Sequence, residues 1–320
     1  MLKLVILIIY FAVLIGIGLY CRKHATDVNG FVLGGRSVGP WLTAFAYGTS
    51  YFSAVVFVGY AGQFGWKYGI AATWAGIGNA IIGSLLAWVV LGRRTRIMSQ
   101  HLDSATMPQY FGKRFGSNPL KIGASVIIFI FLIPYTASLY NGLSRLFGMA
   151  FNIDYSVCII IMATLTAIYV IAGGYMATAI NDFIQGIIML FGIVAVIAAV
   201  IHSKGGFMSA LQGLANVSDP AVSDTPGIFA SFFGPDPFNL LCVVILTSLG
   251  TWGLPQMVQK FYAIDNEASI QKGTVISTIF ALIVSGGCYF LGGFGRLFSD
   301  QIDVKANGFD SIIPTMLSTL

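Results

Sequence analysis

Apolar residues along this chain fall into eight long runs that shorter polar segments separate. Each run approaches the roughly 20 residues that an α-helix needs to cross a bilayer. The pattern predicts membrane spans at about 2–20, 41–62, 70–91, 122–143, 155–172, 183–201, 238–254 and 275–294. We therefore expect an all-α polytopic membrane protein, with residues 1–320 forming a single transmembrane domain.

Two of these runs contain small, polar or helix-breaking residues near their centres. The second includes FAYGTSYFSAVVFVG, starting at Phe45, and the seventh includes VVILTSLGTWGLPQ, starting at Val243. A helix can break inside lipid only where protein or a water-filled cavity satisfies the freed backbone groups. Paired breaks in two parts of a chain are typical of secondary transporters with inverted repeats.

Close helix packing through small residues is the alternative explanation for such positions. We favour packing for four isolated glycines of the runs, which are Gly76, Gly83, Gly286 and Gly292. For the segment 48–53, where small and hydroxyl-bearing residues follow one another, both explanations stay open.

Composition and charge agree with a membrane protein. The chain is 57% hydrophobic, and only 9% of its residues are charged, against about 25% in ordinary soluble domains. Eleven of its 17 Lys and Arg residues lie in the odd-numbered loops, which predicts that these loops are cytoplasmic and that the N-terminus is outside the cell membrane. We therefore attribute the net charge of +5 to the basic residues of the cytoplasmic loops. The expected partner is the lipid bilayer and not a nucleic acid.

The residue types that enzymes need do not form a recognisable pattern. The four cysteines and three histidines show no CxxC, HExxH or P-loop spacing. No nucleophile and base, or metal cluster, stand together within the spans, so we do not expect an enzyme. The longest connection, the outer loop 203–237, is predicted to contain a short interfacial helix over Phe207 to Leu214.

Three strings of residues carry a family resemblance. FVLGGRSVGPWLTAFAYGTSYFSA, IYVIAGGYMATAINDFIQG and GLPQMVQKF resemble the sodium:solute symporter family, in particular its bacterial proline and pantothenate members. The resemblance runs from about residue 30 to 320 and departs from the family signature at Tyr175, where Leu, Met or Phe usually follows the paired glycines.

The resemblance implies a LeuT-type fold with inverted repeats. It comprises a leading helix at 2–20, a first five-helix repeat at about 41–201, the outer loop at 203–237, and a partial second repeat at about 238–320. On this reading the chain is a C-terminally incomplete member with eight transmembrane helices and the start of a ninth. The family helix that bears a Ser/Thr pair for sodium is expected beyond Leu320, so we expect the 320-residue chain alone to insert into the membrane but not to transport.

The resemblance also implies where sodium binds. Sodium is a hard cation that prefers oxygen ligands, and an unwound helix offers carbonyl oxygens without adding net charge. The family's sodium-site carbonyls correspond to Thr49 and Phe52, with the Ser53 hydroxyl nearby. Tyr51 stands where sodium/proline members carry an aspartate, which argues against proline-type sodium affinity while leaving sodium coupling in place.

A second group of polar residues stands at the start of the sixth predicted span. Asp182 aligns with a family acid close to the sodium site, and Gln185 would share its helix face at i+3. Asp182 could equally be an N-terminal helix acid that the helix dipole stabilises. Both residues are candidates for the ion path.

The resemblance places the solute between the second and seventh spans. The candidate solute-binding residues are Tyr51, Tyr135, Thr247, Thr251, Trp252 and Pro255. Proline-type members carry aromatic residues where Thr247 and Thr251 stand, which implies a wider and more hydroxylated pocket here. Arg36, in LGGRS, is either a cytoplasmic orientation anchor or, as the family implies, a residue with a part in transport.

Together these features predict a sodium-coupled symporter that imports a small organic solute. The solute is expected to be a carboxylate or amino acid, pantothenate-like or proline-like. Na+ is the expected coupling ion, and no other cofactor is expected. The alternative is a membrane sensor or non-transporting fragment built on the same fold.

Overall fold

The computed structural model describes residues 2–151 and 153–320, and no β-strand occurs among them. The α-helices, in chain order, are α1 (Leu2–Cys21), α2 (Val28–Leu33), α3 (Pro40–Tyr51), α4 (Ala61–Tyr68), α5 (Thr73–Gly78), α6 (Arg93–His101), α7 (Met107–Phe115), α8 (Asn118–Phe151), α9 (Tyr155–Ser203), α10 (Phe207–Ala215), α11 (Pro237–Leu249), α12 (Pro255–Ala263), α13 (Glu267–Gly293), α14 (Val304–Asn307) and α15 (Ile312–Ser318). Wider π-helical segments occupy Val55–Tyr60, Asn79–Leu86 and Trp88–Gly92. The expected all-α class is thus confirmed, and α10 confirms the short helix predicted in the outer loop.

Helices lie in all the runs that the sequence pattern marked as spans, but only some of them are long. In the described part of the chain, four continuous helical stretches are long and apolar enough to cross a membrane, namely Val55–His101, Asn118–Gly148, Tyr155–Ser203 and Glu267–Gly293. The bent pair Pro237–Gly253 and Pro255–Ala263 makes a fifth if it is one span. Tyr155–Ser203 contains two predicted spans because Gly174, with φ 57° and ψ −149°, interrupts the helix between them.

Both predicted interruptions are present. In the second run α3 ends at Tyr51, and the carbonyl of Ser53 accepts hydrogen bonds from the N–H groups of Val56 (3.0 Å) and Phe57 (3.2 Å) as the helix resumes. In the seventh run α11 passes into a 3-10 turn, and α12 starts at Pro255 with its axis bent by 54°. Proline fits the first turn of a helix, where its missing N–H leaves no bond unmade.

The described chain divides into two compact units. Unit 1 comprises the chain up to Tyr51, Ala87–Gly186 and Trp252–Ser277, and unit 2 comprises Phe52–Leu86, Ile187–Thr251 and Thr278–Leu320. The chain passes from one unit to the other between residues 51 and 52, and again between residues 251 and 252. Two of the crossings therefore coincide with the two helix interruptions.

Unit 1 has an aromatic centre around α12. The ring of Phe261 lies 5.7 Å from that of Tyr47 and 5.1 Å from that of Trp88, measured between centroids. A second apolar cluster lies where α12 contacts the segment that precedes α3. Its buried members are Leu33, Val38, Ala105, Tyr175, Ala179, Val258, Tyr262 and Ala263. Burial of these side chains fixes α12 against α3 and α6.

Unit 2 contains very close helix approaches at glycines. A Cβ on Gly65 would lie 2.0 Å from the carbonyl carbon of Gly292, and one on Gly76 would lie 2.6 Å from the Cα of Gly286. Any larger side chain would clash with backbone at these points. The packing explanation is thus confirmed for Gly76 and Gly292, whereas Gly286 itself has space for a Cβ.

A buried arginine holds the polar end of unit 2 together. Arg296 is 5% exposed, and its Nε donates to the carbonyl of Trp66 at 2.5 Å. A second guanidinium nitrogen lies 3.0 Å from the Asp219 carboxylate, and the group stacks on the Phe229 ring at 3.8 Å. The guanidinium therefore joins three chain segments, through the Trp66 carbonyl, the Asp219 carboxylate and the Phe229 ring.

Candidate ion and solute site

The proposed sodium ligands lie at and beside the end of α3. Thr49 belongs to the last turn of that helix, where the last four carbonyls have no intrahelical donor. Its hydroxyl donates to the Phe45 carbonyl at 3.0 Å. Phe52, which is 2% exposed, and the half-buried Ser53 form the non-helical link and are the first residues of unit 2.

An ion pair is buried beside Thr49 in unit 1. The Nζ of Lys260, on α12, lies 3.6 Å from Oδ2 of Asp182, on α9. Thr49 is one of the polar groups near the same carboxylate. The structure thus places a predicted sodium ligand, Thr49, near a predicted ion-path residue, Asp182, and adds the cation Lys260, which the sequence analysis did not single out.

The interpretation of Asp182 as an N-terminal helix acid is wrong. The helix restarts after Gly174, so Asp182 lies about two turns inside it. The stabilising effect of the helix dipole on a carboxylate falls off within the first turn. The charge partner of Asp182 is therefore the Lys260 ammonium and not a helix terminus.

Gln185 lies one turn beyond Asp182 and is half-buried. Its side chain is near the Tyr10 hydroxyl on α1. Gln185 therefore contacts the leading helix.

The sequence analysis did not propose Lys260 as a site residue, because the apolar pattern placed it in the loop after the seventh predicted span. It follows the interruption of the seventh run, and we counted it among the cytoplasmic loop cations. The structure places it in α12 with 6% exposure, so it is poor evidence for topology. Its closeness to Pro255, the first residue of the second half of a broken span, was the available signal.

A neutral polar cluster in unit 2 surrounds Thr247. The Asn79 side-chain oxygen accepts from the hydroxyls of Thr247 (3.0 Å) and Ser248 (3.1 Å), and its amide nitrogen donates to Ser285 at 3.3 Å. Thr247 is also 2.9 Å from the Val243 carbonyl. Asn79 is 1% exposed. A lone asparagine in an apolar run is a signal for such a cluster, and it was overlooked.

The remaining solute candidates lie in different surroundings. Thr251 donates to the Ser248 carbonyl at 3.0 Å, and Trp252 is half-buried beside it in the sequence. Tyr51 is 7% exposed and packs edge-on against Tyr47 at 6.4 Å. Tyr135 is half-buried on α8, whose apolar stretch is mostly exposed.

Arg36 joins three polar segments of unit 1. Its guanidinium donates to Ser99 Oγ (3.2 Å), to the Ser104 carbonyl (2.9 Å) and to the Tyr262 carbonyl (3.4 Å). Its φ of 56° follows positive φ values at Gly34 and Gly35, a conformation that costs a non-glycine residue about 1–3 kcal/mol. Burial lowers the pKa of the guanidinium, and the nearby Asp103 opposes that shift. These contacts offset the strain and make Arg36 a structural link.

An apolar cavity lies in unit 2. It has a volume of about 460 Å³, and its wall includes Trp74, Phe233 and Val244. None of the predicted site residues lines it. Within the described residues, no group of three or more His, Cys, Asp or Glu side chains could hold a metal ion.

The comparison with known proteins identifies relatives along the chain. The sodium:solute symporter family matches residues 31–312. The osmoregulated proline transporter OpuE of Bacillus subtilis is 29% identical over 299 residues, which cover 92% of this chain and 59% of that protein. The sodium/proline symporter of Staphylococcus aureus (strain JH9) is 29% identical over 330 residues, covering 99% and 60%. The chain therefore spans about 60% of the length of these relatives.

A solved structure supports the fold. A Na+-coupled sialic acid symporter in a substrate-bound, outward-open state aligns with a TM-score of 0.77 at 17% identity. The alignment covers 100% of this chain and 66% of that one. This likeness confirms the LeuT-like helical fold that the resemblance implied, while the helix count and repeat boundaries stay predictions.

These matches agree with the geometry. The relatives are transporters and not enzymes, as predicted. The apolar helices indicate a multi-pass membrane protein, and the family covers the segments that contain both helix interruptions. This chain belongs to the sodium:solute symporter family.

Proposed function

We propose that this protein is a sodium-coupled symporter of the cell membrane that imports a small organic solute. The observation that carries the proposal is the pair of broken helices within apolar runs, at Phe52–Ser53 and before Pro255. Such breaks give a cation carbonyl oxygens without adding net charge in the membrane. The relatives' names, a proline transporter and a sodium/proline symporter, support the same activity.

The residues divide between the ion and the solute. In this proposal sodium binds the carbonyls of Thr49 and Phe52 and the Ser53 hydroxyl, and Asp182 and Gln185 serve its path. The solute contacts Tyr51, Tyr135, Thr247, Thr251, Trp252 and Pro255, and Arg36 supports the cytoplasmic loops. The N-terminus lies outside, as the distribution of loop charges predicts.

The solute is a carboxylate or an amino acid, either proline-like or pantothenate-like. Its net charge determines how far one sodium ion can concentrate it. An assumed tenfold sodium gradient supplies about 1.4 kcal/mol, and one charge crossing 100 mV supplies about 2.3 kcal/mol. With one sodium ion a zwitterion could reach roughly 500-fold accumulation, whereas a monoanion would reach only about tenfold.

Uptake into proteoliposomes that contain the full-length protein tests the proposal. A panel of labelled amino acids and carboxylates, including proline and pantothenate, is offered with an inward gradient of sodium or of choline. We expect at least one solute to accumulate with sodium only. Imposing a membrane potential, negative inside, should then raise the accumulation of a zwitterion and leave that of a monoanion unchanged if one sodium ion is coupled.

A backbone variant links uptake to the broken helix. Thr49→Pro removes an N–H from the last turn of α3 and clashes with the preceding turn, so the proposed carbonyl site is distorted and sodium-driven uptake should be lost. Thr49→Ser keeps the hydroxyl and the backbone and serves as the matched control. Equal uptake with choline in the wild-type protein would refute sodium coupling.

A further inference from the structure

In unit 1 the buried side chain of Lys260 pairs with the half-buried carboxylate of Asp182. The side chains of Lys260 and Asp182 are 8% and 22% exposed, with 3.6 Å between Nζ and Oδ2. Ionisable residues inside membrane segments are expensive, and they mark ion or substrate pathways by default. The proposed sodium path already contains Asp182, so the role of Lys260 needs an explanation.

We propose that the Lys260 ammonium is a built-in counter-cation of Asp182, which a sodium ion must displace before it can use that carboxylate. Lys260 then determines the apparent sodium affinity of the protein. This inference rests on the proposed function, because it gives Lys260 a part in the same ion path.

The contacts of Lys260 suit a cation that can leave its partner. The ammonium is held by one carboxylate oxygen at 3.6 Å and by the face of the Tyr175 ring, whose centroid is 5.0 Å away. Lysine carries a compact charge on a flexible four-carbon stem, so Nζ can withdraw without movement of α12. A fully engaged cation such as Arg296, which uses hydrogen bonds and ring stacking together, could not.

Sodium and the ammonium are alternatives at Asp182 because of their like charge. The carboxylate and the ammonium together are neutral. A sodium ion added to that pair would bring a second positive charge within a few ångströms, in surroundings that screen poorly. Once Lys260 withdraws, the Asp182 carboxylate oxygens and the nearby Thr49 hydroxyl are oxygen ligands of the kind that sodium prefers.

Exchange of the two cations also gives Lys260 a use in the transport cycle. A buried carboxylate without a counter-ion is strongly disfavoured. When sodium leaves, the ammonium returns and neutralises Asp182. The sodium-free protein can therefore reorient without an uncompensated charge in the membrane.

The test is a sodium titration of the purified full-length protein, followed by its thermal unfolding. Choline chloride keeps the ionic strength constant. We expect Lys260→Met to lower the half-saturating sodium concentration about tenfold, because a repelling charge is removed. Lys272→Met, which removes an exposed lysine of unit 1, should leave it unchanged. The double variant Asp182→Asn/Lys260→Met should lose the gain.

A charge-conserving variant gives a second readout. Lys260→Arg presents a fork that can hold the carboxylate through two hydrogen bonds, so it should raise the half-saturating sodium concentration several-fold. This result tests the inference even if Lys260→Met does not yield folded protein.

The outcomes separate the two proposals. If sodium stabilises the wild-type protein but neither Lys260 variant shifts the half-saturating concentration, the pair is only structural and this inference is wrong. A higher sodium requirement in Lys260→Met would overturn it as well. If sodium and choline act alike on the wild-type protein, the proposed function fails, and the inference fails with it.

Discussion

Among the residues whose burial the structure describes, each unit of the molecule buries one basic side chain, and the two are held in different ways. Arg296 of unit 2 has a carbonyl acceptor at 2.5 Å, a carboxylate at 3.0 Å and a ring face at 3.8 Å. Lys260 of unit 1 has one carboxylate oxygen at 3.6 Å and a ring centroid at 5.0 Å. The arginine is fixed in one position by several close contacts, whereas the lysine makes two longer contacts that can break.

The difference separates structural from exchangeable charge. A planar guanidinium meets several fixed acceptors at once, which suits a permanent joint between Trp66, Asp219 and Phe229. An ammonium paired with one carboxylate can be replaced by another small cation. The comparison thus predicts that the two sites respond differently to mutation and that only one of them responds to sodium.

The largest expected effect is at Arg296. Arg296→Met keeps the apolar stem but leaves the Trp66 carbonyl without its donor and Asp219 without its counter-ion. Breaking a buried pair in this way costs about 3–5 kcal/mol, and the lower end applies because the Asp219 side chain is 31% exposed. The melting temperature of the purified protein should fall equally in sodium and in choline. A loss that sodium reverses would contradict the assignment of Arg296 as a structural joint.

A smaller and sodium-sensitive effect is expected at Lys260. Lys260→Met should lower stability in choline by less than the about 3–5 kcal/mol of a tightly held pair, because the contact it removes is 3.6 Å long and a carboxylate left without a cation can take up a proton. In sodium much of that loss should disappear, since the ion takes the vacated position. Thermal unfolding in the two salts measures the difference. Equal losses in both salts would make Lys260 resemble Arg296 and remove the contrast between the units.

The helix breaks could be predicted from sequence because their causes are local. Small and hydroxyl-bearing residues from Gly48 to Ser53, and the Gly-Leu-Pro step at Pro255, disfavour a continuous helix wherever they stand. The fold class followed from the apolar runs in the same way.

The partners of the buried polar groups could not be predicted, because the pairs are far apart in the chain. Nothing near Asp182 points to Lys260, and nothing near Thr247 points to Asn79. The assumed start of the sixth span at residue 183 also hid the true break at Gly174, which is why Asp182 looked like a helix cap. A glycine there is required, since a Cβ would lie 2.8 Å from the Phe31 carbonyl oxygen.

The smallest expected effect concerns the neutral cluster at Asn79, which extends the comparison to buried groups without charge. Asn79→Leu removes three side-chain hydrogen bonds, but the Thr247 hydroxyl keeps the Val243 carbonyl as an acceptor. Hydrogen bonds between membrane helices contribute on average about 0.6 kcal/mol each, so a loss of about 1 kcal/mol is expected, with no dependence on sodium.

A double-mutant cycle with Thr247→Val gives the decisive measurement for this cluster. If Asn79 positions the Thr247 hydroxyl, the double variant should be less destabilised than the sum of the single variants, with a coupling of about 0.6 kcal/mol. If Thr247 also contacts the solute, Asn79→Leu and Thr247→Val should each raise the half-saturating solute concentration, and combining them should add little. Fully additive effects on stability and on uptake would show that Asn79 and Thr247 act independently, despite the 3.0 Å between their side-chain oxygens.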